Sequence, residues 1–264
     1  MKPIIKWTGG KRREIKHFIE LLPNYDVYIE PFIGGGALYF HLNSKVNIVN
    51  DFDYLLINFY KTIQNNSINV IELMNELKSY NGNHDEMERL YYHHRTRIND
   101  YSSLSLLEQS ISFLYVNQLS FSGMRRFNKR GEFNVPFGHY KSFNPIITNE
   151  HIELLNRTTI LNNDIFDIFD ELDIQNGFMF LDPPYTNIFK EYSSNNIFNK
   201  QSHIKLFNCL NEMKLSKWML IINNDDDIIN LYKKYDITSY DVKYGVNIKN
   251  RFDSNSNHLI IKNY

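Results

Sequence analysis

The chain has 264 residues and a formal net charge of −1 at pH 7, with 42% hydrophobic and 15% aromatic residues. This composition supplies a sizeable core for one large domain, or for a domain with an insertion, and argues against a protein coated with nucleic acid while allowing a local basic face. The single cysteine, Cys209, excludes an intramolecular disulfide and a cysteine-based zinc site, and it predicts reducing surroundings.

The first residues and the lengths of the apolar runs indicate where in the cell the protein is expected. Residues 1–7 lack the long apolar stretch of a signal peptide, and no apolar run approaches the length of a membrane span. We therefore expect a protein of the cytoplasm, or of the host cytoplasm if a phage or virus encodes it, that has no contact with a membrane.

Alternating strands and helices are predicted from the first residues onward. Ile15, Phe18, Ile19 and Leu22 recur at helical spacing, which predicts a helix over 11–22 that Pro23 ends. The next predicted elements are a strand over 27–32, the turn Gly34-Gly35-Gly36, a helix over 37–41 and a strand over 46–50 that ends at Asp51.

The middle of the chain departs from this alternation, because its patterns are mainly helical. Helices are predicted over 68–77, 86–98 and 104–119, followed by a basic, glycine-containing segment over 123–140. About a hundred residues is the size of a small domain. We interpret 53–157 as an inserted domain between the two parts, 1–52 and 158–264, of a larger one.

The last hundred residues return to strands and helices. Strands are predicted over 159–161, 178–181, 218–222, 237–244 and 258–263, with a helix over 203–213 among them. Such alternation predicts an α/β fold whose mostly parallel sheet is covered on both faces. No helical pattern separates the last two strands, which predicts an antiparallel pair at the sheet edge.

The predicted elements of residues 27–51 have the order that is typical of a nucleoside-cofactor site: a strand, a glycine turn, a helix, a second strand and an acid. Gly34 and its neighbours would let the backbone approach the ligand, and Asp51 would hold two ribose hydroxyls. The G-x-G-x-x-G pattern of dinucleotide sites is not met, which disfavours a nicotinamide dehydrogenase. A purely structural turn, and helix caps at Asp51 and Asp164, stay open as alternatives.

The string Asp182-Pro183-Pro184-Tyr185 follows the short apolar run over 178–181. It offers a carboxylate, a rigid backbone whose carbonyls can accept hydrogen bonds, and an aromatic face. This set suits a flat heterocycle with an amino group, since the acceptors bind the amine and the ring stacks on the base. The alternative is a proline-rich turn without function.

The segment over 123–140 has the character of a basic hairpin. Between residues 123 and 141 the cations are Arg125, Arg126, Lys129, Arg130 and Lys141, against Glu132 alone. Residues 128–131 are expected to form the turn. Such a hairpin can place an arginine in the major groove and other cations on phosphates, although a solvated loop is the alternative.

Several strings together resemble the Dam-type (alpha-group) family of DNA adenine-N6 methyltransferases. In chain order they are residues 6–12 (KWTGGKR), 30–38 (EPFIGGGAL), 50–52 (NDF), 126–128 (RFN), 131–138 (GEFNVPFG) and 182–185 (DPPY). The resemblance spans nearly the whole chain and implies a class I fold that uses S-adenosylmethionine, with a Rossmann-like mixed seven-stranded sheet. It also implies that the insert over 53–157 is the target-recognition domain, which binds DNA.

The resemblance further assigns the residues of the site. The cofactor would be held by Trp7, Lys11, Glu30, Gly34, Asp51, Asp164 and Asp182, and the catalytic residues would be Asp182, Pro183, Pro184 and Tyr185. The DNA-binding residues would be Phe121, Ser122, Arg126, Asn128, Lys129, Pro136 and His139. Arg126 is the expected reader of a guanine, and Phe121 the wedge that fills the gap left by a flipped base.

The sequence departs from the family at two of these positions. Ser122 stands where an asparagine is common, and His139 where an arginine is common. A neutral histidine cannot copy a bidentate arginine, so the expected target GATC is open to change at this point.

The expected reaction is transfer of a methyl group from S-adenosylmethionine to N6 of adenine in double-stranded DNA, by a monomer that needs no metal. The alternatives are transfer to N4 of cytosine or to adenine in RNA, and a non-catalytic nucleic-acid-binding protein on the same scaffold.

Overall fold

The computed structural model describes residues 1–184, 198–243 and 255–264, and of Lys243, Asn255 and Ser256 the backbone alone. In these ranges no helix combines the length and the apolar character that crossing a membrane requires. The α-helices are α1 (Ala37–Leu42), α2 (Tyr54–Lys78), α3 (His84–Asn99), α4 (Leu106–Leu119), α5 (Asn149–Asn156), α6 (Ile165–Ile168), α7 (Lys200–Glu212) and α8 (Asp226–Tyr232).

The strands form one mixed seven-stranded sheet in the order β3-β2-β1-β4-β5-β7-β6. They are β1 (Val27–Glu30), β2 (Asn47–Asn50), β3 (Thr158–Leu161), β4 (Gly177–Leu181), β5 (Lys217–Asn223), β6 (Asp236–Lys243) and β7 (Asn255–Lys262). Strand β1 pairs in parallel with β2 and β4, and β4 with β5, whereas β7 pairs antiparallel with both β5 and β6. The predicted parallel sheet with an antiparallel pair at its edge is confirmed; Tyr244, the last residue of one predicted strand, lies outside the described residues.

The prediction of one continuous helix over 11–22 is wrong. The structure has three single 3-10 turns instead, over Lys11–Arg13, Ile15–His17 and Ile19–Leu21. Phe18 interrupts them with φ −133° and ψ −5°, outside the helical region. Its ring is fully buried and stacks on Phe180. Of the four apolar residues at helical spacing, Ile15 and Phe18 are buried, whereas Ile19 and Leu22 are partly exposed. The spacing therefore did not require continuous α-helical hydrogen bonds.

The chain divides into two compact units. The first comprises residues 1–12, 33–45 and 50–162, and the second comprises residues 13–32, 46–49 and 163–264. The domain boundaries expected from sequence, with an insert over 53–157, stay a prediction.

The centre of the first unit is α4, which is buried on nearly all sides. Its first turn is fixed by a capping box, in which Ser105 and Glu108 each accept a hydrogen bond from the other's main-chain N–H. The buried face towards α2 carries polar groups as well, and Ser110 Oγ donates to Thr62 Oγ1 at 2.7 Å. Such a satisfied buried network fixes the register of the two helices.

The second unit buries an acid that neighbouring side chains satisfy. Glu14 Oε2 accepts from Tyr240 Oη at 2.7 Å and lies 2.7 Å from His258 Nδ1. His258 is fully buried. A buried carboxylate is costly unless it is hydrogen-bonded, so these contacts attach the first 3-10 turns to the antiparallel edge of the sheet.

We expect His258→Ala to lower the free energy of unfolding by about 3 kcal/mol, because the buried Glu14 carboxylate loses a hydrogen-bonding partner. Urea unfolding followed by circular dichroism measures the change. Arg89→Ala is the control, since it breaks an ion pair with Glu86 on the surface, and it should alter stability little. Equal losses in both variants would contradict a stabilising role for the buried contact.

Candidate active site and nucleic-acid interface

Asp51 belongs to the first unit and comes directly after β2 in the chain. Both of its carboxyl oxygens accept hydrogen bonds from main-chain N–H groups. Oδ2 accepts from the Gly34 N–H at 2.9 Å, and Oδ1 accepts from the Asp53 N–H at 3.0 Å. The cap of α2 is Asp53, whose Oδ1 accepts from the Leu56 N–H at 3.0 Å. The helix-cap alternative for Asp51 is therefore not observed, because the residue that caps α2 is Asp53. A carboxylate has about four lone-pair directions, so Asp51 keeps acceptor capacity for ligand hydroxyls.

The electrostatics of Asp51 are those of an acid held away from water. Burial raises the pKa of Asp51 to about 6, while the hydrogen bonds from Asp53 and Gly34 act in the opposite direction. At pH 7 the group is mainly ionised, which is the form that accepts hydrogen bonds from hydroxyl groups.

The glycine turn lies directly against the ring of Trp7. A Cβ at Gly34 would lie 2.7 Å from Trp7 Cδ1, and a Cβ at Gly35 would lie 2.8 Å from Trp7 Cβ, so neither position has room for a side chain. Gly34 also has φ +46°, in the left-handed region that favours glycine. Trp7, Gly34 and Asp51 are thus brought together within the first unit.

Lys11, the first residue of the first 3-10 turn, has a buried side chain, and its Nζ donates to the Gly9 carbonyl at 2.7 Å. A buried ammonium group next to a glycine-containing loop can attract the carboxylate of an amino-acid ligand. Its assignment to the cofactor stays a prediction.

In the second unit, two acids that the sequence assigns to the site lie at the carboxyl ends of two parallel strands, β1 and β4. Glu30 ends β1, is buried, and accepts from Tyr28 Oη at 2.7 Å. Asp182 comes directly after β4, whose register with β1 pairs Ile29 with Met179. Both acids therefore lie at the same edge of the sheet, where ligands of open α/β sheets bind.

The rest of the predicted catalytic string is described as far as Pro184. Asp182 is partly exposed, Pro183 is buried and Pro184 is exposed. Tyr185 lies outside the described residues. The partly exposed carboxylate after a fully buried strand is the arrangement expected of a group that meets a substrate.

Asp164 is exposed and serves as the N-cap of α6, with Oδ1 accepting from the Phe166 N–H at 2.9 Å. The helix-cap alternative is therefore observed at this position. Because capping occupies one oxygen, a role for Asp164 in cofactor binding stays compatible with it and stays a prediction.

The basic segment forms the predicted hairpin, held by antiparallel bridges between Phe127 and Phe133 and between Ser120 and Phe137. Asn128 builds its turn, since Oδ1 accepts from the main-chain N–H groups of residues 130 and 132 at 2.9 and 3.0 Å. The structure thus gives Asn128 a structural role, with its carbonyl oxygen engaged in the turn.

The other residues predicted to contact DNA share one property, which is exposure. They are Phe121, Ser122, Arg126, Lys129, Pro136 and His139. Three residues of the same segment, Phe133, Val135 and Phe137, are buried and alternate with residues that are partly or fully exposed. This period of two presents one face of the hairpin to solvent and anchors the other.

Sequence reasoning missed the role of Arg125, which was counted with the other cations of the hairpin. Arg125 points inward, forms an ion pair with Asp53, and lies over the ring of Trp7 with its guanidinium carbon 4.4 Å from the ring centroid. The sequence held no direct signal for this role, because the direction of Arg125 follows from how the segment packs.

One group of described side chains could hold a metal ion. His84, Glu88 and His139 each offer a ligand atom within 4.8 Å of the others. In the structure the two imidazoles bind each other, with His84 Nε2 3.1 Å from His139 Nδ1. The expectation that the reaction needs no metal stays a prediction.

The chain is similar to known proteins over its whole length. The family model of D12 class N6 adenine-specific DNA methyltransferases matches residues 7–246. The type II methyltransferase M.CviBI of Paramecium bursaria Chlorella virus NC1A is 35% identical over 275 residues, covering 100% of both chains. The type II methyltransferase M1.LlaDCHI of Lactococcus lactis subsp. cremoris is 30% identical over 284 residues, covering 100% of this chain and 96% of that protein. The DNA adenine methylase of Haemophilus influenzae is 35% identical over 142 residues, covering 53% of this chain and 48% of that protein.

We expect the Asp51 carboxyl group to titrate with a midpoint near pH 6, because burial disfavours its charged form. Carbon-detected NMR of the side-chain carboxyl resonances measures the midpoint, and Asp51→Asn assigns the resonance by removing it. A midpoint near pH 4, as in a solvated aspartate, would contradict the environment described here.

Proposed function

The chain belongs to the family of D12 class N6 adenine-specific DNA methyltransferases, and we propose a role for each part of its site in that reaction. It is an S-adenosylmethionine-dependent enzyme that methylates N6 of adenine in DNA. The observation that carries the assignment of roles is the partly exposed Asp182, which follows the buried strand β4 at the sheet edge where β1 also ends.

The first unit holds the cofactor. Asp51 accepts from the ribose hydroxyls with the lone pairs that Gly34 and Asp53 leave free. The turn at Gly34 lets the backbone approach the ligand, and Trp7 fixes the shape of that turn. Lys11 attracts the carboxylate of the methionine part. Glu30 and Asp164 are the other acids that we propose for cofactor binding. When bound, S-adenosylmethionine supplies an electrophilic methyl group on a sulfonium.

Asp182 and Pro183 act on the adenine amino group. The lone pair of this nitrogen is delocalised into the ring, which makes it a poor nucleophile. The Asp182 carboxylate and the Pro183 carbonyl accept its two N–H bonds, which favours a pyramidal nitrogen with an available lone pair. The carboxylate also stabilises positive charge that develops on the nitrogen. Tyr185, outside the described residues, stacks on the base and fixes its plane, so that positioning supplies much of the rate.

The hairpin reads the DNA. The target nitrogen is out of reach inside a duplex, so the base is flipped out and Phe121 fills the gap. Arg126 is exposed, and its Nε donates to Asn134 Oδ1 at 2.8 Å, which fixes the direction of its guanidinium group. A guanidinium held in this way suits bidentate contact with a guanine, while Lys129 neutralises phosphate.

GATC is the first target sequence to test, and the two departures from the family pattern show where it can fail. His139 has φ +54° and its ring is already bound to His84. Ser122 also has a positive φ, at 54°. Both positions flank the hairpin. His139 does not offer the two donors of an arginine fork, and Ser122 does not offer the amide of an asparagine.

We also propose that the protein acts as a monomer in the cytoplasm, which is that of the host if a phage or virus encodes it.

Sequencing of DNA from cells that express the protein, with detection of modified bases, identifies the base and its context together. N6-methyladenine in one short sequence supports the proposal. N4-methylcytosine would point to the alternative substrate, and unmodified DNA would point to the non-catalytic alternative.

We expect Asp182→Ala to reduce methyl transfer by at least about a hundredfold, because both a hydrogen-bond acceptor and a stabilising charge are lost. Transfer of labelled methyl groups to DNA measures the rate, and gel-shift titration should show DNA affinity close to wild type. Asp170→Asn, at an exposed acid of the second unit, is the matched control and should keep wild-type activity. Retained turnover in Asp182→Ala would exclude this mechanism.

We expect Arg126→Ala to change sequence specificity and Lys129→Ala to change overall DNA affinity. Loss of a base contact relaxes the choice at one position, at a cost of about 1–3 kcal/mol, whereas loss of a phosphate contact weakens binding to all sequences alike. Methylation of a randomised duplex library, read by modified-base sequencing, separates the two. The division of roles is refuted if both variants shift specificity in the same way.

A further inference from the structure

Two adjacent arginines of the hairpin face opposite ways. The Arg126 side chain is exposed to solvent, whereas the Arg125 side chain is only 17% exposed. In an extended segment the side chains of neighbouring residues point to opposite faces. Because Arg125 and Arg126 are adjacent in the chain, a contact that fixes Arg126 on DNA also restrains Arg125 in the first unit.

Arg125 meets a carboxylate and an aromatic surface in that interior. It forms an ion pair with Asp53, and its guanidinium carbon lies 4.4 Å from the centroid of the Trp7 ring and 5.7 Å from that of Phe127. Its Nη1 is buried without a hydrogen-bond partner among the described residues. A planar guanidinium that is stacked and ion-paired in this way cannot be replaced by a lysine without loss.

The partner of Arg125 lies one hydrogen bond from the predicted ribose acid. The Asp53 N–H donates to Asp51 Oδ1 at 3.0 Å, and Asp51 Oδ2 accepts from the Gly34 N–H at 2.9 Å. Asp53 also caps α2, since its Oδ1 accepts from the Leu56 N–H. The Asp53 carboxylate therefore connects Arg125, the start of α2 and the main chain next to Asp51.

The aromatic partner of Arg125 lies on the other side of the same site. The Trp7 ring packs so closely on Gly34 and Gly35 that neither glycine has room for a Cβ. One guanidinium group thus contacts both the ring that shapes the glycine turn and the carboxylate beside the acid that follows β2. Within the first unit, the contacts of Arg125 lead from the hairpin to both parts of the predicted cofactor site.

We propose that Arg125 is a positioning residue that couples DNA binding to cofactor binding. DNA that holds the hairpin in place also holds Arg125 on Trp7 and Asp53, which stabilises the turn and the acid in their binding arrangement. By linkage, the cofactor strengthens DNA binding by the same factor. This inference rests on the proposed function, because it needs the first unit to bind the cofactor and the hairpin to bind DNA.

Calorimetry with S-adenosylhomocysteine, which cannot react, measures the coupling. Its dissociation constant is determined alone and with a saturating duplex that carries the sequence found by modified-base sequencing. We expect DNA to strengthen binding about tenfold in the wild-type protein, within the usual range of coupling between two sites. In Arg125→Ala the dissociation constant for S-adenosylhomocysteine without DNA should rise. The gain from DNA, which is the ratio of the dissociation constants without and with DNA, should fall to about one.

Arg89→Ala is the matched control. It removes an exposed arginine of the first unit that pairs with Glu86 and belongs to neither the proposed DNA-binding nor the proposed cofactor-binding residues. Both its affinity for S-adenosylhomocysteine without DNA and its gain from DNA should therefore equal those of the wild type. A gain from DNA in Arg125→Ala equal to the wild-type gain would overturn the inference, and so would the absence of any gain in the wild type. Absence of S-adenosylhomocysteine binding by the wild type would instead refute the proposed cofactor site.

Arg125→Lys and a double-mutant cycle cover the case in which Arg125→Ala does not fold. Lysine keeps the charge but loses the planar fork, so we expect part of the coupling to survive. Asp53→Asn should also reduce the gain from DNA, and combining it with Arg125→Lys should add little further. Independent, additive effects of the two substitutions would overturn the connection through Asp53.

Discussion

The carboxylate of Asp51 holds two stretches of main chain in place, the glycine turn at Gly34 and the start of α2 at Asp53. The other features of the first unit are arranged around these two hydrogen bonds. Trp7 can pack on the turn only because the turn is fixed, and Arg125 can meet Asp53 only because α2 begins there. Asp51 thus has a structural task, and the ligand-binding task that we propose for it depends on the same geometry.

Much of the fold followed from sequence pattern because the signals were local. Apolar runs that end in polar residues predicted the strands, and the sequence between the last two predicted strands, which has no helical pattern, predicted their antiparallel pairing. The continuous helix over 11–22 failed because Phe18 leaves the helical region to bury its ring. The contacts of Glu14 with Tyr240 and His258 could not be predicted, since the partners are more than 220 residues away in sequence.

In the candidate site, too, the sequence predicted residues in local strings but not contacts between distant residues. The strings that carry the family resemblance predicted Asp51 and Asp182 because those signals are strings of neighbouring residues. The inward direction of Arg125 depends on which face of the hairpin packs inward, where its guanidinium carbon lies 5.6 Å from the ring centroid of Phe113 in α4. A count of cations does not contain that information. Asn128 was grouped with the DNA-binding residues on resemblance, and the structure adds that its side chain closes the turn. A residue can be required for DNA binding because it shapes the surface.

The placement of the tryptophans has a practical consequence. The chain has two, and they lie in different units. Trp218 is fully buried in the second unit, whereas Trp7 is partly exposed and lies between Arg125 and the glycine turn. Indole fluorescence is quenched by nearby charges and by stacked ligands. Emission from Trp7 in a protein whose Trp218 is replaced by phenylalanine would therefore report on events at the turn without any added dye.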